Sequence, residues 1–332
     1  MPSVRQLPGL FLALMISLAS CLLAVSLPQL SPLLVTMVAG VGARNAGLLR
    51  GRHDAGLSYA ARVPLRLGIV LLGLQLSVPM LLSLGWGVPL LAMTVVTTGI
   101  LGTLGLGRLL GVERRQALLV ACGFSICGAA AVAGVESTVD AREKETVTAV
   151  ALVVLFGTLM IPLLPALASL LGLPERTAAL WAGASVHEVG QVVAIGGILG
   201  GGALGLAVTM KLARVLMLAP VAAALSLSRS RALGEQTDDG APGGARRPPL
   251  VPPFLVGFLA AVVLRSVVPV PQEVLGVASA LQQFLLAAAM FALGAGVHIK
   301  SLLSGGGRLL ALAAGSTVLV GVVGLAGSLV IG

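Results

Sequence analysis

Three clusters of polar side chains stand inside long apolar stretches of this sequence. The first is Ser125-Ile126-Cys127-Gly128, preceded by Cys122-Gly123-Phe124 and followed by alanines. Gly123 and Gly128 invite a helix break. A broken helix exposes backbone N–H groups at a new N-terminus, and those groups attract anions. A small-residue packing face is the alternative reading. The second cluster runs Ser185-Val186-His187-Glu188-Val189-Gly190-Gln191. His187 and Gln191 share a helix face, with Ser185 and Glu188 close by. So many polar groups are expensive against lipid, and Glu and His exchange protons near neutral pH when their surroundings shift them. A hydrated helix end at the interface competes with that reading. The third cluster is Lys211 and Arg214, on one helix face, placed to line a basic cavity or to neutralise Glu188. Snorkelling to the interface is its alternative, and the stronger one for Arg66. Asn45, Gln282 and Gln283 are weaker candidates.

Enzyme chemistry fits these groups poorly. Ser125 with His187 lacks a third, orienting group. His187-Glu188 is followed by Val189-Gly190-Gln191, so the second metal-binding His of HExxH is missing, and neither an aspartate-rich prenyl-transfer motif nor a Walker A loop is present. The expectation is a protein that is not an enzyme and carries no cofactor or metal.

The elements that hold the clusters are membrane helices. Of 332 residues, 57% are hydrophobic and 10% charged, with mean hydropathy +1.06, where soluble domains carry roughly 25% charge. The 44 glycines suit close helix packing or local unwinding. Cys21, Cys122 and Cys127 form no CxxC and no disulfide framework. Apolar runs fall at 8–27, 30–49, 62–83, 86–108, 115–136, 146–171, 177–198, 203–228, 250–268, 275–299 and 308–331, which predicts about eleven transmembrane helices. With the N-terminus inside, 15 of the Lys and Arg residues fall in cytoplasmic loops against three outside, Arg142, Lys144 and Arg265, so the net charge of +9 follows topology and no nucleic acid is expected. The chain would start in the cytoplasm and end in the periplasm, with the acidic loop Glu136–Glu145 external. A polar stretch from Ser226 to Pro249 reads as a cytoplasmic linker, 229–249. Leu18-Ala19-Ser20-Cys21 resembles a lipoprotein cleavage box, but a retained first helix is the preferred reading. Setting aside an N-terminal helix (1–28) leaves two five-helix blocks, 29–172 and 173–332. Five crossings reverse direction, so the second block would be inverted relative to the first.

At these clusters the chain resembles the YeiH-type family of conserved bacterial membrane proteins, described as sulfate exporters. The matching residues are Leu65-Arg66-Leu67-Gly68-Ile69, Ser125 to Ala131, Ser185 to Val189 with Gln191, Lys211 to Pro220, and Phe284 to Met290 with Ala292-Leu293-Gly294. Gly190, where the family carries Ala, and Phe124, where a Ser is usual, depart from the pattern. The resemblance implies an arrangement like the bile-acid symporters, with broken helices crossing at mid-membrane in the fifth and tenth spans. It also implies export of sulfate or an organosulfonate. The combined expectation is an all-α secondary transporter of a small anion. Ser125, Ile126, Cys127, Gly128, Ser185, His187, Gln191, Lys211 and Arg214 would bind substrate, and His187 and Glu188 would couple protons. A passive anion channel is the rival reading, with a membrane-embedded receptor or enzyme third. The lipid bilayer is the other partner, and a homodimer stays open.

Overall fold

A chain surrounded by hydrocarbon must satisfy its backbone polar groups internally, and every regular element among the described residues is accordingly helical. The computed structural model describes residues 4–27, 31–136, 138–200, 202–234, 253–297 and 307–332. Its helices are α1 (Leu7–Ser26), α2 (Pro32–Asn45), α3 (Gly51–Ala60), α4 (Val63–Leu72), α5 (Val78–Ser83), α6 (Gly87–Leu109), α7 (Arg114–Ser125), α8 (Ala129–Val135), α9 (Glu143–Leu170), α10 (Glu175–Ser185), α11 (Val189–Leu199), α12 (Ala203–Leu216), α13 (Leu218–Gly234), α14 (Pro253–Val267), α15 (Gln272–Ala295) and α16 (Gly307–Ile331). Seven stretches are long and apolar enough to cross a membrane: α1, α3–α4, α6, α9, α12–α13, α15 and α16.

The helices sort into two bundles. In the first, α1 to α4 pack with α14 and α15. Backbones touch there: a Cβ on Gly40 of α2 would fall on the Phe291 carbonyl of α15, and one on Gly294 of α15 would fall on the Met37 carbonyl of α2. Such contact is how membrane helices gain packing energy without a hydrophobic drive between them. In the second bundle, α6, α9, α12 and α16 enclose the two broken segments, α7–α8 and α10–α11.

Neither broken segment traverses the bundle. The Arg142 guanidinium after α8 lies 3.5 Å from Glu113 before α7, and Arg115 at the start of α7 donates to the Asp140 carbonyl at 3.1 Å. Both ends of the segment are therefore at one end of the bundle. α7 has 12 residues, about 18 Å of helix, before the chain turns at Ile126–Gly128 and returns through α8. The second segment behaves alike: a Cβ on Gly202, after α11, would sit 3.9 Å from Glu175 Oε1 at the start of α10. The 28-residue α9 runs between the end of the first hairpin and the start of the second, so the hairpins come in from opposite ends and their tips meet.

This corrects the eleven-crossing expectation in three places. The fifth and seventh apolar segments fold back, which puts the Glu136–Glu145 loop at the same end as Arg115, with Ser58 Oγ 3.5 Å from Glu143 and Arg229 donating to the Thr138 carbonyl at 2.9 Å. Arg176 moves to the other end. The second break is in the seventh segment, while the tenth, α15, is continuous to Ala295. The third stretch begins at Gly51, and residues 229–234 of the expected linker belong to α13; residues 235–249 lie outside the described residues. Charge sorts more sharply on this path. Among the described residues, Arg5, Arg44, Arg50, Arg52, Arg62, Arg108, Arg114, Arg115, Arg142, Lys144, Arg229 and Arg308 are at one end, and only Arg176 and Arg265 at the other.

The fold makes a topological prediction. Single cysteines at Glu113 and Asp140 should react with an impermeant thiol reagent from the same side of the membrane, and cysteines at Pro174 and Gly202 from the opposite side. Labelling of Glu113→Cys and Asp140→Cys from different sides would restore a crossing.

Candidate functional site

Where the two hairpins meet, each leaves the end of a half-length helix inside the protein. The last carbonyls of a helix have no intrahelical donor, and they form the negative end of its dipole. Lys211 and Arg214, on α12 beside both tips, supply the missing donors. Lys211 Nζ donates to the Ile126 carbonyl of one tip (2.9 Å) and to the Val186 carbonyl of the other (2.6 Å). Arg214 donates through Nε to Ser125 O (2.9 Å) and through Nη2 to Phe124 O (2.8 Å). Its Nη1 donates to Ala184 O (2.7 Å), Val186 O (3.0 Å) and Gly183 O (3.2 Å). Both side chains are fully buried. No carboxylate lies within salt-bridge distance of either among the described residues, so neither is ion-paired to Glu188. Their charge is set against helix ends.

The tips carry a shared signature. Gly123-Phe124-Ser125-Ile126 and Gly183-Ala184-Ser185-Val186 stand at equivalent places, and Ser125 and Ser185 each end the inward helix. A Cβ on Gly99 of α6 would fall on Ser125 Oγ, and one on Gly324 of α16 would fall on Ser185 Oγ. Both hydroxyls are buried and have no hydrogen-bond partner among the described residues. The repeated Gly-x-Ser was the sequence signal for this pairing.

Glu188 is placed by its own helix end and by the other tip. As N-cap of α11, its N–H donates to Gln191 Oε1 at 3.0 Å. Its carboxylate accepts the Ala129 N–H, the first of α8, at 3.1 Å. Gly128 at that tip has φ +78°, and a Cβ there would overlap Glu188 Cγ, so glycine is required twice over. The Gln191 amide packs against Gly157 of α9, and its Nε2 is buried without a partner. His187 lies against the Phe124 ring, 4.4 Å between centroids, and pairs through Nδ1 with Phe124 O (3.3 Å) and through Nε2 with Thr317 Oγ1 on α16 (3.1 Å). Ser125, Ile126, Cys127, Gly128, Ser185, His187, Glu188, Gln191, Lys211 and Arg214 are therefore one contiguous cluster. Thr317, Gly99 and Gly324 complete it, and reading the sequence missed all three.

Two cavities that share Ser58, Ala61, Glu143, Val147 and Leu293 lie between the bundles, the outer of about 660 Å³, and the inner one reaches this cluster. It has a volume of about 280 Å³ and opens between the bundles at the Arg-rich end, with Arg62 and Arg66 of the first bundle opposite Glu136 and Thr146 of the second. Ala129, whose N–H holds Glu188, is part of its wall. Arg66, for which snorkelling is the stronger reading from sequence, stands over the Phe254 ring at 5.7 Å and faces this space.

Breaking a buried charge network leaves orphaned groups and costs roughly 3–5 kcal/mol. Arg214→Gln should therefore lower the thermal midpoint of the purified protein sharply and reduce its yield in the membrane, with Arg214→Lys intermediate. A midpoint unchanged in Arg214→Gln would mean that the carbonyls at the tips have other donors.

A family model described as conserved hypothetical protein 698 matches residues 8–313. The chain is similar to a UPF0324 membrane protein of Corynebacterium glutamicum, at 50% identity over 98% of this chain and 92% of the relative. It is also similar to one of Pseudomonas aeruginosa, at 40% identity over 78% and 74% of the two chains, and to one of Brucella melitensis, at 33% over 91% and 84%. No solved structure matches. With the family model covering most of the chain and relatives aligned nearly end to end, the protein belongs to the UPF0324 family of membrane proteins.

Proposed function

We propose that this protein is a secondary transporter that exports a small oxyanion-bearing solute, of the sulfate or organosulfonate class, across the inner membrane. The observation that carries this reading is a pair of half-length hairpins, coming in from opposite ends and meeting at a buried polar cluster, beside a cavity lined by residues of the Arg-rich end. Discontinuous helices meeting near the bilayer midplane are the recurrent site architecture of secondary transporters. A passive channel needs a continuous wet path. Here Lys211, Arg214, Ser125 and Gln191 are sealed, which supports alternating access. No covalent step is part of the proposal.

The Arg-rich end is taken as cytoplasmic, because Lys and Arg concentrate on that side. This gives nine crossings (α2 and α14 being the short ones), two re-entrant hairpins, a cytoplasmic N-terminus and a periplasmic C-terminus. The two blocks, 29–172 and 173–332, are read as inverted repeats whose second copy is permuted. On this reading α2, α3–α4, α6, the first hairpin and α9 correspond to α14, α15, α16, the second hairpin and α12–α13. The matched Gly99–Ser125 and Gly324–Ser185 contacts support that pairing, as does the sharing of Lys211 between Ile126 and Val186. In this scheme Lys211 and Arg214 hold the tips in place, the tip residues Ser125–Gly128 and Ser185–Gln191 frame the substrate, and Glu188 with His187 responds to protons.

Proteoliposome flux of sulfate, sulfonates and carboxylates, with and without a pH gradient, tests the reading. Uptake driven by the gradient is expected for at least one of these solutes. Glu188→Gln should keep exchange of solute for solute while the accumulation ratio falls to that seen without a gradient. An unchanged pH profile in Glu188→Gln would remove the coupling role, and ungated, non-saturating flux would favour the channel.

A further inference from the structure

The walls of the cavity between the bundles are oppositely charged. Arg62 and Arg66 stand on the α4 side, and Glu136 stands at the foot of α8 on the other. Glu136 feels both guanidinium groups electrostatically, yet no pair among them closes to a salt bridge among the described residues. Asp140 and Glu143, also on the acidic wall, already have partners: Arg229 lies 3.9 Å from Asp140, and Ser58 lies 3.5 Å from Glu143. Arg66 is fixed over Phe254, which leaves its N–H groups without a protein acceptor among the described side chains. The Thr146 hydroxyl between these walls is 8% exposed; it faces the Glu136 carboxylate, with no hydrogen bond of normal length closed among the described residues. Charges of opposite sign held apart across a small space are an unfinished network. They call for a molecule carrying both complements.

We propose that this cavity binds a small zwitterion, with its oxyanion group toward Arg62 and Arg66, its ammonium group toward Glu136, and Thr146 Oγ1 bonded to the ligand. At about 280 Å³ the space is at or below the small end of ligand pockets, roughly 300–1,000 Å³, which fits an amino acid or aminosulfonate. A simple dianion such as sulfate would satisfy the basic wall and leave Glu136 facing like charge. The assignment rests on the transport reading only in placing this cavity on the substrate's path.

Equilibrium binding to the full-length protein in nanodiscs tests it, with taurine and β-alanine as zwitterions, ethanesulfonate and propionate as the matched anions without the ammonium, and sulfate. Each zwitterion is expected to bind at least tenfold tighter than its matched anion. Taurine against β-alanine distinguishes sulfonate from carboxylate as the oxyanion. Glu136→Gln should bring each pair within about twofold, by weakening the zwitterion and relieving the anion of a like charge, and Arg66→Gln should weaken zwitterions and anions alike. Equal binding of zwitterion and anion to the unmodified protein overturns the proposal without needing any variant to fold. So does an unaltered preference in Glu136→Gln, or the absence of binding by every probe. Zwitterion binding without flux would instead sink the transport reading and leave this site standing, while sulfate flux without zwitterion preference would do the reverse.

Discussion

A helix that stops halfway through a membrane protein leaves carbonyl groups pointing where no water can reach them. Each such group, unsatisfied, costs several kcal/mol. This chain stops two helices in that way, at Ser125 and at Ser185, and meets both sets of carbonyls with one pair of side chains. Arg suits the task because its planar fork presents five donors without losing its charge, and here it reaches carbonyls of both tips at once. Lys211 ties Ile126 to Val186. The rest of the second bundle follows from that junction. α6 and α16 must offer glycine where they meet the serine at each tip, α9 must offer Gly157 to Gln191, and Gly128 must turn with positive φ beneath Glu188.

The same junction bears on the proton response proposed for Glu188. Because Lys211 and Arg214 are committed to backbone carbonyls, no ion pair closes on Glu188 among the described residues, and its carboxylate, capped on its own helix by the Gln191 backbone N–H, also accepts the Ala129 N–H. That hydrogen bond spans the two hairpins, and Ala129 also lines the cavity. Occupancy of the cavity and the state of Glu188 are thus one contact apart. Between the bundles the packing is sparser than within them: α8 and α9 meet α4 and α15 around open space, whereas α2 and α15 touch backbone to backbone. A boundary of that kind is what the proposed alternating access would need.

Much of this was legible in the residues. The membrane class followed from scarce charge, the break at Gly123–Gly128 from its glycines, and the polar stretch Ser185–Gln191 from its cost in lipid. What the sequence hid was the turning back of two segments. An apolar segment of about 20 residues with a break at its centre has the same hydropathy whether it continues or reverses, and the contacts that decide it, Arg142 with Glu113 and Arg115 with Asp140, are set by the fold. Because both segments reverse, only the loops between the hairpins change ends of the bundle relative to the sequence reading. Gly51–Ala60 was missed as helix because Arg52, His53 and Asp54 make it polar; it packs on α1 through the Gly9–Gly56 contact, and Asp54 pairs with Arg44 at 2.6 Å. The role of Lys211 and Arg214 was misplaced for a related reason. Spacing shows that two cations share a face, but their partners are main-chain atoms about 25 to 90 residues away, which no side-chain pattern announces.

The central claim is that Lys211 and Arg214 join the tips of two opposed re-entrant hairpins. A density map of the protein in lipid nanodiscs, at a resolution that shows side chains, tests it most directly. The account predicts that residues 114–135 and 175–199 each enter and leave on one side of the bilayer, with both basic side chains between residues 124–126 and 183–186 near the midplane. Density for either segment continuing to the opposite surface, or Lys211 and Arg214 extending to the headgroups, would contradict it.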